Sequence, residues 1–308
     1  MGWWRIGTGQ GGLRALAGGA ALALAIAGVG PDMMVRSTAL AQEAPAGGAG
    51  SEAVMAEVDA LLAALRIDDT IAVLREEGLD YGRSLEEDMF PGAGGASWQA
   101  TVALIYDGDR MGEAFRAALI RALEDDPAEV AAIRAFFESE LGRRVVDLEI
   151  EARRSLLDDA VEEASKVALE ELRAEDGPRL AALDRFVTVN DLVESNVMGA
   201  LNSNLAFYRG MQRGGAFGEE MTEEQMLGDV WGQEQEIRQS TTEWVYSYLN
   251  LSYAPLSDAD LAEYTAFCES AAGQKVNAAL FAAFDEVFTP ISEALGVAVA
   301  RQMAGQDI

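Results

Sequence analysis

The residues best placed to do chemistry are two glutamate–serine pairs, Glu138-Ser139 and Glu269-Ser270, which sit at equivalent places in a passage that occurs twice. A carboxylate beside a hydroxyl can serve as a general acid or clamp a ligand. The chain contains no histidine. That removes Ser-His-Asp and Cys-His relays and every imidazole-held zinc or haem, leaving carboxylates, hydroxyls and tyrosines as acid–base groups. The single cysteine, Cys268, falls on an apolar stripe with Leu261, Tyr264 and Phe267, so it is expected to be buried as a small hydrophobe. Asp107-Gly108-Asp109-Arg110-Met111-Gly112 opens like a calcium loop. It fails at Met111 and at Ala118, the twelfth position, where a bidentate acid is required. The acidic runs Glu86-Glu87-Asp88, Asp158-Asp159, Glu162-Glu163 and Glu219-Glu220 could hold divalent ions loosely, but read as solvated helix faces. The structural reading of the two glutamates is that each pairs across a glycine turn, Glu138 with Arg144 and Glu269 with Lys275, while the serine bonds a terminal carbonyl. The sequence therefore assigns no catalytic, cofactor-binding or metal-ligating residue.

The repeated passage is Ala135–Val145, AFFESELGRRV, and Ala266–Val276, AFCESAAGQKV. Asp126 with Glu129, and Ser257 with Asp260, stand before them as helix starts, placing a side-chain oxygen over free N–H groups and an acid in the first turn. The motif copies thus span residues 126–145 and 257–276. Gly142 is expected to take a left-handed turn.

Acidic residues number 52 against 23 basic ones, for a net charge of −29. Such a surface repels phosphate backbones and anionic lipid, so nucleic acid is an improbable partner, whereas a cationic protein or peptide suits it. At the start, Arg5 and Arg14 precede the apolar run Leu16–Val29, and Ala39-Leu40-Ala41 offers the small residues that signal peptidase reads. Residues 1–41 are expected to be a signal peptide cleaved after Ala41, releasing the chain into the periplasm without a stable membrane anchor; a retained anchor is the alternative.

Residues 42–51 read as a disordered tether. Ser51 would cap a helix carrying Val58, Leu61 and Leu65, and Asp68-Asp69 would open another that Gly78 interrupts. Pro91–Gly95 is a loop, and Trp98–Leu123 reads as mostly helical with a bend at Asp107–Asp109 and Leu104, Ile105, Phe115, Leu119 and Ile120 on its apolar face. After the first motif copy, one long helix should run to about Arg173, with Val146, Ile150, Leu157, Val161 and Ala164 inward and pairs such as Glu149 with Arg153 marking its exposed surface. Asp176-Gly177-Pro178 closes the first half. The second half places helices at about Asn190–Arg209, from a Thr222/Gln225 capping box through Trp231 and Trp244 to Leu249, and from Val276 to Leu295 with a kink or restart at Thr289-Pro290. Trp98, Trp231 and Trp244 are expected in the core or lining a groove. Period-two alternation is absent, so the expected fold class is all-α, a helical bundle of two pseudo-repeated halves, residues 52–176 and 179–304.

Phe136–Arg144 resembles the signature of the bacterial family called domain of unknown function 2059, which reads Phe-Tyr-x-Ser-Pro-x-Gly-x-Lys after a helix that opens with Ser or Thr and an acid. Phe267–Lys275 is similar again. Both copies lack the proline, having Glu140 and Ala271 there, and the second aromatic is Phe137 in one copy and Cys268 in the other. The resemblance implies a helical, exported protein of undescribed activity. The expected function is a periplasmic binding or interaction module whose partner is a protein, a peptide or a small apolar ligand. The alternative, a carboxylate-dependent hydrolase or lyase acting on cell-envelope material, requires two acids converging in a cleft.

Overall fold

The computed structural model describes residues 48–217 and 221–305, with side chains from residue 55 onward. The expected leader and residues 42–47 of the tether lie outside the described residues, as do Glu219 and Glu220. Among the described residues the chain is helical throughout, with no strand: α1 (Gly48–Ala64), α2 (Ile67–Met89), α3 (Gly95–Ile105), α4 (Gly108–Leu123), α5 (Pro127–Phe137), α6 (Glu140–Ser155), α7 (Asp159–Glu175), α8 (Pro178–Val189), α9 (Leu192–Arg213), α10 (Glu223–Trp231), α11 (Glu234–Tyr253), α12 (Asp258–Cys268) and α13 (Ala271–Met303). None is long and apolar enough to cross a membrane. Residues 48–51 of the expected tether are the first turn of α1, so Ser51 lies inside that helix rather than capping it.

The offset between the motif copies extends to the helices around them. Shifting α5 by 131 residues lands on α12 at both ends, and the start of α6 lands on the start of α13. Shifted in the same way, α1, α2, α3 and α4 overlap α8, α9, α10 and α11. The packing is crossed. From the first half, α6 and α7 lie on α11 of the second, while α13 of the second lies on α4 of the first. One core of Leu, Val, Ile and aromatic side chains therefore runs through both halves. This exchange breaks at α9, which packs against α13 of its own half. There the backbones touch: a Cβ on Gly210 would lie 2.0 Å from the Glu293 carbonyl oxygen, and one on Gly296 2.1 Å from that of Phe207.

Several boundaries differ from the sequence expectation, each for a local reason. Gly78 does not interrupt α2; it is buried within it, and the Tyr106 ring occupies the space a side chain would need. The long helix expected after the first motif copy breaks at Leu156–Asp158, where the Asp158 carboxylate accepts from the Ala160 N–H at 2.9 Å and starts α7. That break shifts the helical phase, so α7 buries Ser165, Leu169 and Leu172, and Ala164 faces solvent. Leu104, expected inward, is 69% exposed, because the chain ends α3 at Ile105 and restarts at α4 beneath the Asp107 cap. The helix expected through Trp231 divides at Gly232-Gln233, leaving Trp231 54% exposed rather than in the core. α13 continues past Pro290 without a restart. Pro290 and Glu286 both face solvent, so water can take the carbonyl bond that proline leaves open. α8 had no counterpart in the sequence reading, although Pro178 at its first turn and the buried Leu183, Phe186 and Val187 give it the usual start and face.

Candidate functional site

The two motif copies have the same local construction. Ser139 caps α6, its Oγ accepting from the Gly142 N–H at 3.0 Å, and Ser270 caps α13 through the Gly273 N–H at 3.0 Å. Neither serine acts chiefly on a terminal carbonyl as expected, although Ser270 also donates to the Phe267 carbonyl at 2.6 Å. Glu140 and Ala271 occupy the first helical position, where the family signature has proline and where a missing N–H costs nothing. Gly142 takes no left-handed turn. It is a contact point: a Cβ there would lie 2.0 Å from the Phe136 carbonyl oxygen, and one on Gly273 would lie 2.1 Å from that of Phe267. Phe136 and Phe267, at equivalent positions, stack with centroids 3.8 Å apart and planes 4° apart.

The expected ion pairs across the glycines do not form. Glu138 faces Arg134 and Glu269 takes the Arg185 guanidinium at 2.6 Å. The cations bridge the copies instead: Arg144 reaches Asp260 at 3.3 Å, and Lys275 reaches Asp126. Asp126 consequently makes no side-chain cap to α5, whereas Ser257 and Asp260 form the full capping box on α12. Glu138 and Glu269 thus each tie their own motif copy to a neighbouring cation. The calcium-like stretch is a joint, with the Asp107 carboxylate accepting from the Arg110 N–H at 2.9 Å. Glu86, from an acidic run, accepts from the N–H groups of Gly94 and Gly95 at 3.1 and 2.9 Å and fixes the start of α3. Among the described residues no three acids or thiols converge to hold a metal ion.

The group that sequence reasoning missed is Glu149, which with Arg153 had suggested an exposed face. Both are buried, at 3% and 2% exposed. They do not simply neutralise one another; each is turned to partners on other helices. Arg153 grips Glu77 of α2 with two bonds of 2.6 Å and lies 5.6 Å from the Trp244 ring centroid. Trp244 in turn stacks on Tyr248. Burial raises the Glu77 carboxyl above its ordinary range, with Arg153 opposing. Glu149 receives only phenols: Tyr253 donates to its Oε1 at 2.6 Å and Tyr264 to the same oxygen at 3.3 Å, while Tyr248 donates to its backbone carbonyl at 3.1 Å. Its Oε2 has no partner among the described residues. Burial pushes the Glu149 carboxyl up to about 7, against the two phenolic hydrogen bonds. The only signal in the sequence was that these charges fall on the stripe of Val145, Val146, Ile150 and Ala152, all of them buried.

Cys268 is buried beside this cluster and its thiol is pushed well up by burial, which suits an inert packing residue. Among the described residues the surface includes two hollows. One, of about 380 Å³, lies between Leu62, Ile67, Asp68, Asp109, Glu113 and Arg116. The other, of about 250 Å³, lies between α9 and α13, with Met198, Phe281, Phe284 and Phe288 as apolar lining and Ser195, Asn202 and Asp285 as polar edges. The Asn202 amide donates to Asp285 at 3.3 Å across it.

No curated protein and no solved structure matches the chain. Residues 109–171, from the first turn of α4 into α7, do match a family; the match takes in the first motif copy and not the second. The family that this segment matches is described as "Uncharacterized protein conserved in bacteria (DUF2059)".

Proposed function

We propose that the protein is an exported binding module whose groove between α9 and α13 anchors an apolar side chain of a cationic, amphipathic protein segment. The observation that carries this reading is the groove itself. Its apolar lining is accessible at Met198, and Asp285 stands at its edge. At about 250 Å³ it falls below the roughly 300–1,000 Å³ of small-molecule pockets, and suits one large side chain of a longer ligand. Charge supports the same partner. Most described cations are already engaged by carboxylates, so the excess acid that makes the chain −29 remains to attract a basic one. Glu149 offers a hydrolase little, since a carboxylate 3% exposed meets no polymer.

The test is titration of a labelled peptide with Leu and Lys at helical spacing into the full chain. Losing the contact of Met198 removes roughly 1.5–3 kcal/mol of apolar burial, so Met198→Glu should weaken binding by about tenfold or more. Leu104→Glu, at a still more exposed apolar residue on α3 outside the groove, should leave it unchanged. Equal effects of both substitutions, or none from Met198→Glu, would remove the groove from the account.

A further inference from the structure

The buried joint between the halves contains a carboxyl, Glu149, that takes only phenolic hydrogen bonds on one oxygen and none on the other among the described residues. We propose that Glu149 is a proton-operated latch: protonated, it holds α6 of the first half against α11 and α12 of the second; ionised, it loosens that joint.

The geometry has three parts. Glu149 sits where the arm formed by α6 crosses into the other half, and the three phenolic hydrogen bonds to it, from Tyr248, Tyr253 and Tyr264, all cross that boundary. One carboxyl oxygen takes both phenolic bonds while the other has no partner, so no cation or backbone donor offsets the ionised form in a site without solvent. Finally, the fold does not need an acid there. The residue 131 positions on is Leu280, fully buried in α13.

Among the neighbours, Glu77 of α2 is the other acid raised by burial, with Arg153 opposing, and its variant is therefore the control. From α11, Tyr248 and Tyr253 are held neutral by burial, as are Tyr264 and Cys268 from α12. On α6 itself Arg153 is turned to Glu77 of α2. From α8 Phe186 packs on Tyr253 and Tyr264, and from α5 Phe136 packs on Tyr264; neither titrates. Because the Glu149 carboxyl is raised in the folded chain to about 7 from an ordinary value near 4.5, its stabilising share is complete below the ordinary value and is lost as pH rises through 7. Between pH 6 and 8 that loss corresponds to about a tenfold increase in the opening equilibrium.

Hydrogen exchange of the full chain, corrected for intrinsic rates, reads this directly. Amides of α6, α11 and α12 should open about tenfold more at pH 8 than at pH 6 in the natural protein. Glu149→Leu should abolish the dependence, and Glu77→Gln should keep it. Tyr253→Phe removes a donor that favours the ionised form, so it should move the midpoint to higher pH, a shift that a purely packing role would not produce. If Glu149→Leu fails to fold, the Tyr253→Phe midpoint decides. A flat natural profile, a Glu149→Leu profile that keeps its slope, or an unmoved Tyr253→Phe midpoint overturns the latch.

Discussion

Replacing Gly296 by alanine places a carbon where α9 already stands. The added Cβ would lie 2.1 Å from the Phe207 carbonyl oxygen, 2.8 Å from the Met211 nitrogen and 3.0 Å from the Phe207 carbonyl carbon. All three are backbone atoms of one helix, so no side chain can swing aside. Relief requires α9 and α13 to part by roughly 1 Å, and a gap of that size forfeits about a quarter to a half of each facing dispersion contact. This is the most extensive helix pair in the molecule, so the cost belongs at the upper end of overpacking, about 3 kcal/mol. For a chain of this size, that lowers the melting temperature by about 6–12 °C. Gly228 in α10 is the control: exposed, with nothing within 4 Å of an added Cβ. There alanine should stabilise the helix by up to about 1 kcal/mol. Thermal unfolding followed by far-ultraviolet circular dichroism at fixed pH measures both. Gly296→Ala within about 1 kcal/mol of the natural protein, or the same sign at both glycines, would refute the backbone contact between α9 and α13.

Arg153→Met leaves Glu77, 21% exposed, without its guanidinium and should cost about 2–3 kcal/mol in urea unfolding; adding Glu77→Gln should recover most of that. Ser139→Ala and Ser270→Ala each remove a helix cap and should each cost about 1 kcal/mol by the same assay, the two losses being of similar size if the copies are built alike. Unfolding free energy of the natural protein should fall between pH 5 and 8, and Glu149→Gln should flatten that decline. N-terminal sequencing of the protein recovered from cells that express the full chain should begin at Gln42, and a chain beginning at Met1 would contradict the proposed cleavage after Ala41.

What the sequence made legible was whatever repeats or recurs with helical period. The capping box at Thr222, the helix start at Ser257 with Asp260 and the helix from Val276 through Leu295 all follow from local rules, and the structure honours them. Breaks were legible unevenly. The glycine beside Asp107 marked the bend that the Asp107 cap makes, whereas Asp158 caps a new helix inside an otherwise continuous apolar pattern, because a short acidic side chain can offer the backbone a competing bond at any turn. The partners of charged residues were not legible at all. Arg144 and Lys275 have acids nearby in sequence, yet they select Asp260 and Asp126 across the fold, since crossing the halves brings those closer. Glu149 and Arg153 looked like a solvated pair at a spacing of four; only the crossed packing of α6 on α11 and α12 decides that both are enclosed.

The account turns on the groove between α9 and α13 as the place where a cationic partner is held. Hydrogen–deuterium exchange with the Leu/Lys peptide tests it most directly. Protection confined to residues 195–203 and 281–288 is the predicted result. Protection spread over the acidic helix faces, or absent from those two stretches, would contradict it.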